Sequence, residues 1–182
     1  MSRPSRKHIK DKTFELLISE RKIKAKVEII AGQISEDYKD KKPLLIAVLN
    51  GSFIFAADLF REISVPAEIS FIRMASYEGT SSSGDIKQIL GLSDNIFQRD
   101  IIIVEDIIDS GLTIEKILEH FEERGAKSLA VCTLLLKPQN LKNDVQVNYK
   151  GFEINNEFVI GYGLDYDGEG RNLKDVFQLP AD

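Results

Sequence analysis

Apolar residues along the chain follow two patterns, helical spacing and short continuous runs. Helical spacing predicts helices over residues 24–39, 53–63 and 114–124. Continuous apolar runs are typical of strands that are buried on both faces, and they occur at residues 44–49, 101–104 and 128–136. A more alternating run at residues 67–71 predicts a strand that is covered on one face.

The order of these segments predicts the fold class. Between residues 44 and 136 it is strand, helix, strand, loop, strand, helix, strand. This order predicts an α/β fold with a mainly parallel sheet flanked by helices. Residues 140–182 have short apolar pieces and many glycines and asparagines, which indicates a smaller subdomain at the carboxyl end of the sheet. We expect a single domain over residues 1–182.

One internal stretch breaks the alternation. Residues 77–85 contain Gly79, three consecutive serines and Gly84, and they are small and polar. Composition alone allows two interpretations, a linker and a mobile lid that closes over a bound ligand.

Composition excludes several classes of protein. The chain has 182 residues, of which 43% are hydrophobic and 29% charged, as is usual for a globular domain. Its net charge of -5 argues against a protein that coats nucleic acid, although a small anion needs only a local positive potential. The single cysteine, Cys132, cannot form an intramolecular disulfide. With no apolar stretch long enough to span a bilayer and no secretory signal, we expect a cytoplasmic protein without a membrane partner.

The richest candidate chemistry lies where one predicted strand ends. Glu105 and Asp106 follow an isoleucine-rich run, and two adjacent carboxylates there need compensating partners such as sugar hydroxyls or a divalent cation. The following segment, residues 109–113, leads directly into a helix. Its backbone amides and the Ser110 and Thr113 hydroxyls could form a cradle for an anion. A ribose 5-phosphate would satisfy both features.

A purely structural interpretation of the same segment is a helix cap. Ser110 or Thr113 would cap the helix, and Asp109 would be favoured there by the helix dipole. Capping does not explain two acids at the end of an isoleucine-rich strand, so we favour the ligand site.

Residues 104–113 resemble the phosphoribosyl-pyrophosphate motif of the type I phosphoribosyltransferases, in the form found in the hypoxanthine-guanine phosphoribosyltransferase family. Residues 44–53 are similar to the pyrophosphate loop of that family, and residues 76–87 to its mobile loop. Residues 158–166 and 171–173 resemble its hood. The resemblance covers roughly residues 29–179, and it implies a core of about residues 24–139 with a hood from about residue 140 plus the N-terminal segment.

The resemblance implies a reaction and its partners. A 6-oxopurine, hypoxanthine or guanine, attacks the anomeric carbon of phosphoribosyl pyrophosphate, and pyrophosphate leaves. The product is a purine nucleoside monophosphate. The resemblance also implies Mg²⁺ as the cofactor, held by Glu105, Asp106 and Asp165, and an assembly that is a homodimer or homotetramer. No nucleic-acid partner is implied.

The resemblance further implies a role for individual residues. Asp109 would be the catalytic acid/base at purine N7, and Ser76 and Tyr77 would begin the lid. The ribose and the 5-phosphate would contact Glu105, Asp106, Ile108, Asp109, Ser110, Gly111, Leu112 and Thr113. The purine would contact Ile107, Lys137, Phe158, Val159 and Asp165. The pyrophosphate would contact Asn50, Gly51 and Arg171.

Each of these assignments has a plainer alternative. Lys137 could be a solvated loop lysine, Phe158 and Val159 could be core residues, and Arg171 could form only a salt bridge. The chain also departs from the family at two positions. Asn50 and Leu112 stand where many relatives carry lysine, so each loop lacks a charge but keeps its backbone amides. The family often has a cis peptide at the position of Leu49-Asn50.

Other functions are also compatible with parts of the pattern. A phosphoribosyltransferase for another base, such as xanthine, would share the donor site and differ only in the hood. A regulator of the same fold could bind RNA, but the net charge of -5 argues against it. A nucleotide hydrolase or kinase would need a phosphate loop of the type G-x-x-x-x-G-K-[ST], which the sequence lacks.

Overall fold

The computed structural model describes residues 5–75, 88–91 and 94–180, and its centre is a six-stranded sheet. Five of the strands are parallel, and the short edge strand β5 is antiparallel to β4. This arrangement confirms the predicted α/β fold with a mainly parallel sheet. In spatial order the strands are β5 (Gln88–Leu90), β4 (Glu68–Ala75), β3 (Leu44–Leu49), β6 (Asp100–Ile108), β7 (Ser128–Leu136) and β8 (Tyr149–Glu153).

A second, antiparallel sheet brings the two ends of the chain together. Its order is β1 (Arg6–Ile9), β2 (Lys12–Ile18), β10 (Val176–Gln178) and β9 (Val159–Ile160). We refer to these four strands as the hood; the predicted extent of the hood, from about residue 140 plus the N-terminal segment, stays a prediction. Strand β8, which also lies after residue 140, pairs with β7 in the large sheet. The part of the chain after residue 140 therefore contributes strands to both sheets.

Among the described residues, three α-helices cover the two faces of the large sheet. They are α1 (Glu20–Asp37), α2 (Phe53–Glu62) and α3 (Leu112–Glu123). Alternate residues of β3 and β6 point to opposite faces, so Leu45 and Ile102 pack with α1 and α2, whereas Ile46 and Ile103 pack with α3. Both faces are therefore buried, which explains the continuous apolar runs. Throughout the described ranges, every helix is too short or too polar to cross a bilayer.

Two helix ends show what the local sequence can and cannot indicate. Helix α1 begins at Glu20, four residues before the predicted start, and the backbone N–H of Glu20 donates to Asp175 Oδ1 at 2.7 Å. Asp175 is distant in sequence, so no local pattern indicates this partner. Helix α3 ends as expected at a glycine, because Gly125 has a φ of 75° and Ala126 N donates back to Phe121 O at 3.1 Å.

A cluster of charges at the amino ends of the strands predicts acid sensitivity. Glu68 accepts hydrogen bonds from Lys42 and from Arg99 Nη2, the latter at 2.6 Å, and these bonds lower the pKa of Glu68 from 4.5 to about 2. The carboxylate therefore stabilises the fold above about pH 4.5, and this contribution is lost as the pH falls toward about 2.

We expect Glu68→Gln to lower the free energy of unfolding near neutral pH and to have less effect near pH 3. The variant removes the charge, so it has no corresponding loss on acidification. Urea unfolding of the wild-type and variant proteins at both pH values measures the difference. A difference that stayed constant with pH would contradict the assignment.

Candidate active site

Three strands of the large sheet lead into the predicted site at the same edge. The carboxyl end of β3 continues into Asn50 and Gly51, that of β6 into Asp109, and that of β7 into Lys137. The parallel register places Ile108 beside Leu136, so the ends of β6 and β7 are level. Ligands of open parallel sheets bind beyond the carboxyl ends of the strands. The fold thus brings together motifs that lie far apart in sequence.

The two adjacent acids lie within β6, because this strand extends to Ile108 and not only to the predicted Val104. Glu105 and Asp106 are each 8% exposed. Successive residues of a strand point in opposite directions. Accordingly, Glu105 lines the cavity at the start of α3, whereas Asp106 lies against Gly51 in the loop after β3. The pair therefore connects the two loops proposed to hold the 5-phosphate and the pyrophosphate.

The bend between β6 and α3 borders a small cavity with both polar and apolar lining residues. Gly111 has a φ of 79°, and it lies immediately before α3, so the first-turn amides of the helix border the cavity. A Cβ atom at Gly111 would lie 3.0 Å from Val145 Cγ2, which leaves little room for any other residue. The cavity measures about 190 Å³ and is lined by Glu105, Ile107, Ile108, Asp109, Ser110, Gly111, Thr113 and Ile114. Leu112 is partly exposed.

Asp109 lies at the edge of this cavity and forms two side-chain hydrogen bonds. Its Oδ2 pairs with Lys137 Nζ at 2.9 Å, and its Oδ1 accepts from Asn140 Nδ2 at 2.7 Å. Partial burial acts to raise the pKa of Asp109, but the hydrogen bonds from Lys137 and Asn140 outweigh it and hold the pKa below its usual value. The side chain is 50% exposed, so a ligand can reach an ionised carboxylate.

Lys137 is buried, unlike the solvated loop lysine of the alternative interpretation. Only 7% of the residue is exposed, and its backbone N–H donates to Ile108 O at 2.9 Å. These contacts anchor the end of β7 against the end of β6. The ammonium is thus directed toward Asp109 at the mouth of the site, where it can donate to a bound molecule as well.

The loop after β3 is held between Asp106 and the hood. Its Leu49-Asn50 peptide is cis, as the resemblance implied, and Asn50 is exposed. A Cβ atom at Gly51 would lie 1.5 Å from Asp106 Oδ2. On the hood side, a Cβ atom at Gly163 would lie 2.0 Å from Gly51 O, and Gly163 has a φ of 103°. Both positions therefore require glycine for this close packing.

Arg171 forms a hydrogen bond to Gly163, on the hood side of the Gly51–Gly163 contact. Its Nη1 donates to Gly163 O at 2.6 Å, and its Nη2 pairs with Asp165 Oδ1 at 2.5 Å. Asp165 Oδ2 also accepts from Gly168 N at 2.7 Å. Of the two interpretations of Arg171, the structure shows the salt bridge. It also places the guanidinium next to the proposed pyrophosphate loop, so the second role stays a prediction.

The proposed purine contacts are divided between core and surface. Phe158 is 46% exposed, and its ring lies 5.9 Å from Tyr166 in an edge-to-face arrangement. Val159 is buried in β9, and Ile107 is half-buried at the end of β6. Phe158 is thus an aromatic ring available for stacking. Ser76 and Tyr77, the predicted start of the lid, lie outside the described residues.

Two asparagines in this region were not predicted from the sequence. Asn140 follows Lys137 in the short 3-10 turn Pro138–Asn140, and it also donates to Asn156 Oδ1 at 2.9 Å. Asn156 lies two residues before Phe158, so this bond joins the Lys137 turn to the segment that enters the hood. The only sequence signal is a polar residue close behind Lys137, which is common in turns.

Comparisons with known proteins agree with this geometry. A family model described as "Phosphoribosyl transferase domain" matches residues 17–167. A hypoxanthine phosphoribosyltransferase from Salmonella typhimurium is 46% identical over 164 residues, covering 88% of this chain and 92% of the relative. A hypoxanthine-guanine phosphoribosyltransferase from Bacillus subtilis is 44% identical over 160 residues, covering 87% of this chain and 89% of the relative.

Solved structures give the same result. The crystal structure of a hypoxanthine-guanine phosphoribosyltransferase from Bacillus anthracis matches with a TM-score of 0.84 and 42% identity, over 92% of this chain and 97% of the other. A Trypanosoma cruzi hypoxanthine phosphoribosyltransferase, in a ternary substrates complex, matches with a TM-score of 0.84 and 36% identity, over 91% of this chain and 94% of the other. The chain therefore belongs to the phosphoribosyltransferase family, in the group of the hypoxanthine-guanine phosphoribosyltransferases.

Proposed function

We propose that the protein transfers the 5-phosphoribosyl group from phosphoribosyl pyrophosphate to hypoxanthine or guanine. The products would be IMP or GMP and pyrophosphate, which is a purine salvage reaction. One observation carries this proposal: the buried Lys137 pairs with Asp109 at 2.9 Å, beside the cavity at the start of α3. The names of the relatives support the same substrates.

Lys137 supplies the selection for a 6-oxopurine. An ammonium group can only donate hydrogen bonds, so it pairs with the exocyclic oxygen of hypoxanthine or guanine and not with the amino group of adenine. Phe158 would stack on the base, with Ile107 on its other side and Val159 at its edge. These purine contacts are proposals that rest on the exposure of Phe158 and on the position of Lys137.

Asp109 supplies the base for proton transfer. In the proposed reaction, purine N9 bonds to the anomeric carbon while the bond from that carbon to the pyrophosphate oxygen breaks. The proton on N7 passes to Asp109, which is ionised because its pKa lies below the usual value. Glu105 and Asp106 would hold the ribose hydroxyls, and their charges favour the positive charge that develops on the ring.

The acids of the site fit a magnesium ion that binds together with substrate. Within residues 5–75, 88–91 and 94–180, no group of three or more histidine, cysteine or acidic side chains could hold a metal ion. Mg²⁺, however, usually takes one or two carboxylates and completes its shell with water and substrate phosphates. Glu105 and Asp106 would provide these, and Asp165 could contribute if Arg171 turned to the pyrophosphate. When bound, the ion neutralises charge on the leaving pyrophosphate.

The remaining assignments rest on the resemblance, except for the location, which rests on the sequence. We propose that Ser76 and Tyr77 begin a lid that excludes water from the sugar, and that the protein is a homodimer or homotetramer. We also propose a cytoplasmic location. Asn50 and Gly51 would bind pyrophosphate through their backbone amides. Because Leu112 has no charge, the 5-phosphate would be bound by backbone amides and by the hydroxyls of neighbouring residues.

An assay with phosphoribosyl pyrophosphate, Mg²⁺ and each purine in turn tests the proposal. We expect hypoxanthine and guanine to yield nucleotide and an equal amount of pyrophosphate. Adenine would give a kcat/KM about ten- to a hundred-fold lower, because the Lys137 charge would lose its acceptor. If the protein preferred xanthine, xanthine would take the place of hypoxanthine and guanine as the proposed substrate. If no purine were turned over, the proposal would be overturned.

A further inference from the structure

Asn140 is held in one orientation at the mouth of the site. It is the last residue of the turn Pro138–Asn140, and its backbone N–H donates to Lys137 O at 3.1 Å. Its side-chain amide donates to Asp109 Oδ1 at 2.7 Å and to Asn156 Oδ1 at 2.9 Å. Both contacts use the amide nitrogen, so the bond to Asn156 fixes the direction from which Asn140 approaches Asp109.

Lys137 and Asn140 divide the two oxygens of Asp109 between them. Lys137 contacts Oδ2, and Asn140 contacts Oδ1. In the proposed reaction Lys137 has a second partner, because its ammonium also donates to the purine oxygen. Asn140 has no such competing role, since its acceptors are Asp109 and a hood-side asparagine. The carboxylate is half exposed, so without a second donor it could rotate away from the purine.

We propose that Asn140 is a positioning residue for Asp109, and that Asn156 holds Asn140 in place. This inference rests on the proposed function, in which Asp109 accepts the N7 proton. Asn140 keeps Oδ1 fixed while Lys137 is shared with the base, so that the carboxylate stays within reach of N7. Asn156 lies just before Phe158, so the same link sets the position of the carboxylate relative to the ring proposed to stack on the purine.

Steady-state kinetics of an Asn140→Ala variant tests the proposal. We expect kcat for IMP synthesis to fall about tenfold, because small misplacements of a catalytic group are costly. The KM values for hypoxanthine and phosphoribosyl pyrophosphate should change less than about twofold, since Asn140 contacts neither in the proposed complex. Asn140→Gln, which retains the amide, should recover part of the lost turnover. Asn140→Asp should be at least as slow as Asn140→Ala, because a carboxylate would face Asp109.

Asn143→Ala is a matched control, because Asn143 lies in the same segment between β7 and β8 as Asn140. Asn143 Nδ2 donates to both oxygens of Glu115, at 2.6 and 2.7 Å, and neither residue belongs to the proposed site. We expect its kcat to equal that of the wild-type protein. Asn156→Ala keeps the Asn140 amide but removes its support, so we expect a smaller fall in kcat than in Asn140→Ala. This variant also tests the proposal if Asn140→Ala does not fold, as judged by thermal unfolding.

The outcomes separate this inference from the proposed function. A wild-type protein that makes no IMP would refute the function itself. An active wild-type protein together with Asn140→Ala and Asn156→Ala variants of unchanged kcat would overturn only the role of Asn140. Equal losses of kcat in Asn140→Ala and Asn143→Ala would also overturn this role, because they would show a general effect of substitutions in the segment between β7 and β8.

Discussion

The Asp109→Asn variant is expected to form IMP at least about tenfold more slowly than the wild-type protein, because general acid–base catalysis typically contributes about 10²–10⁴-fold to the rate. Asparagine has nearly the same shape, and its oxygen can still accept a hydrogen bond from Lys137. It cannot take up the N7 proton. The expected loss is therefore in kcat, while the KM values change little.

Rapid-quench or steady-state measurement of IMP formation checks this result, with calorimetric binding of the substrates as the companion measurement. Binding that persisted with low turnover would place Asp109 in the chemical step. A variant with full turnover would remove Asp109 from the chemistry and leave it as a structural partner of Lys137 and Asn140.

The Gly163→Ala variant is expected to lose activity by at least about 10²-fold, because displacement of a substrate loop by an ångström has effects of this size. The new Cβ atom would lie 2.0 Å from the backbone oxygen of Gly51, and a φ of 103° is unfavourable for alanine. Neither partner of this contact is a flexible side chain. One of the two backbone segments must therefore shift, which opens the contact that holds the Gly51 loop against the hood.

Gly168→Ala is a matched control for the backbone strain. Gly168 also has a positive φ, of 85°, but a Cβ atom there would meet nothing within 4 Å. This variant should lose some stability and keep most of its activity. Measuring kcat/KM and thermal unfolding for both variants separates the effect of backbone strain from the effect of losing the Gly51–Gly163 contact. Equal activity in the two variants would show that the Gly51–Gly163 contact does not hold the loop.

The core of the fold could be predicted from sequence because its strands are buried on both faces. Such burial requires continuous apolar runs, as in β3 and β7, and these are visible without knowledge of the partners. The hairpin of β1 and β2 escaped prediction because few of its side chains are buried, among them Phe14 and Ile18. Its pairing also depends on β10, at the opposite end of the chain.

The candidate site divides in the same way. The acids and the bend after β6 form one continuous segment, so their chemistry could be inferred from residue types and spacing. The contact of Gly51 with Gly163 and the bond from Asn140 to Asp109 join segments whose proximity only the folded chain establishes. Exposure likewise came only from the structure, which shows Lys137 buried and Phe158 partly open.

A crystal structure with bound IMP would test most directly whether the bend after β6 binds the sugar phosphate. We predict that the 5-phosphate lies about 2.7–3.2 Å from backbone nitrogens of residues 110–113, at ordinary hydrogen-bond distances. The purine oxygen should contact Lys137, and N7 should face Asp109. A phosphate bound outside the cavity at the start of α3, with the base away from Lys137, would contradict the account.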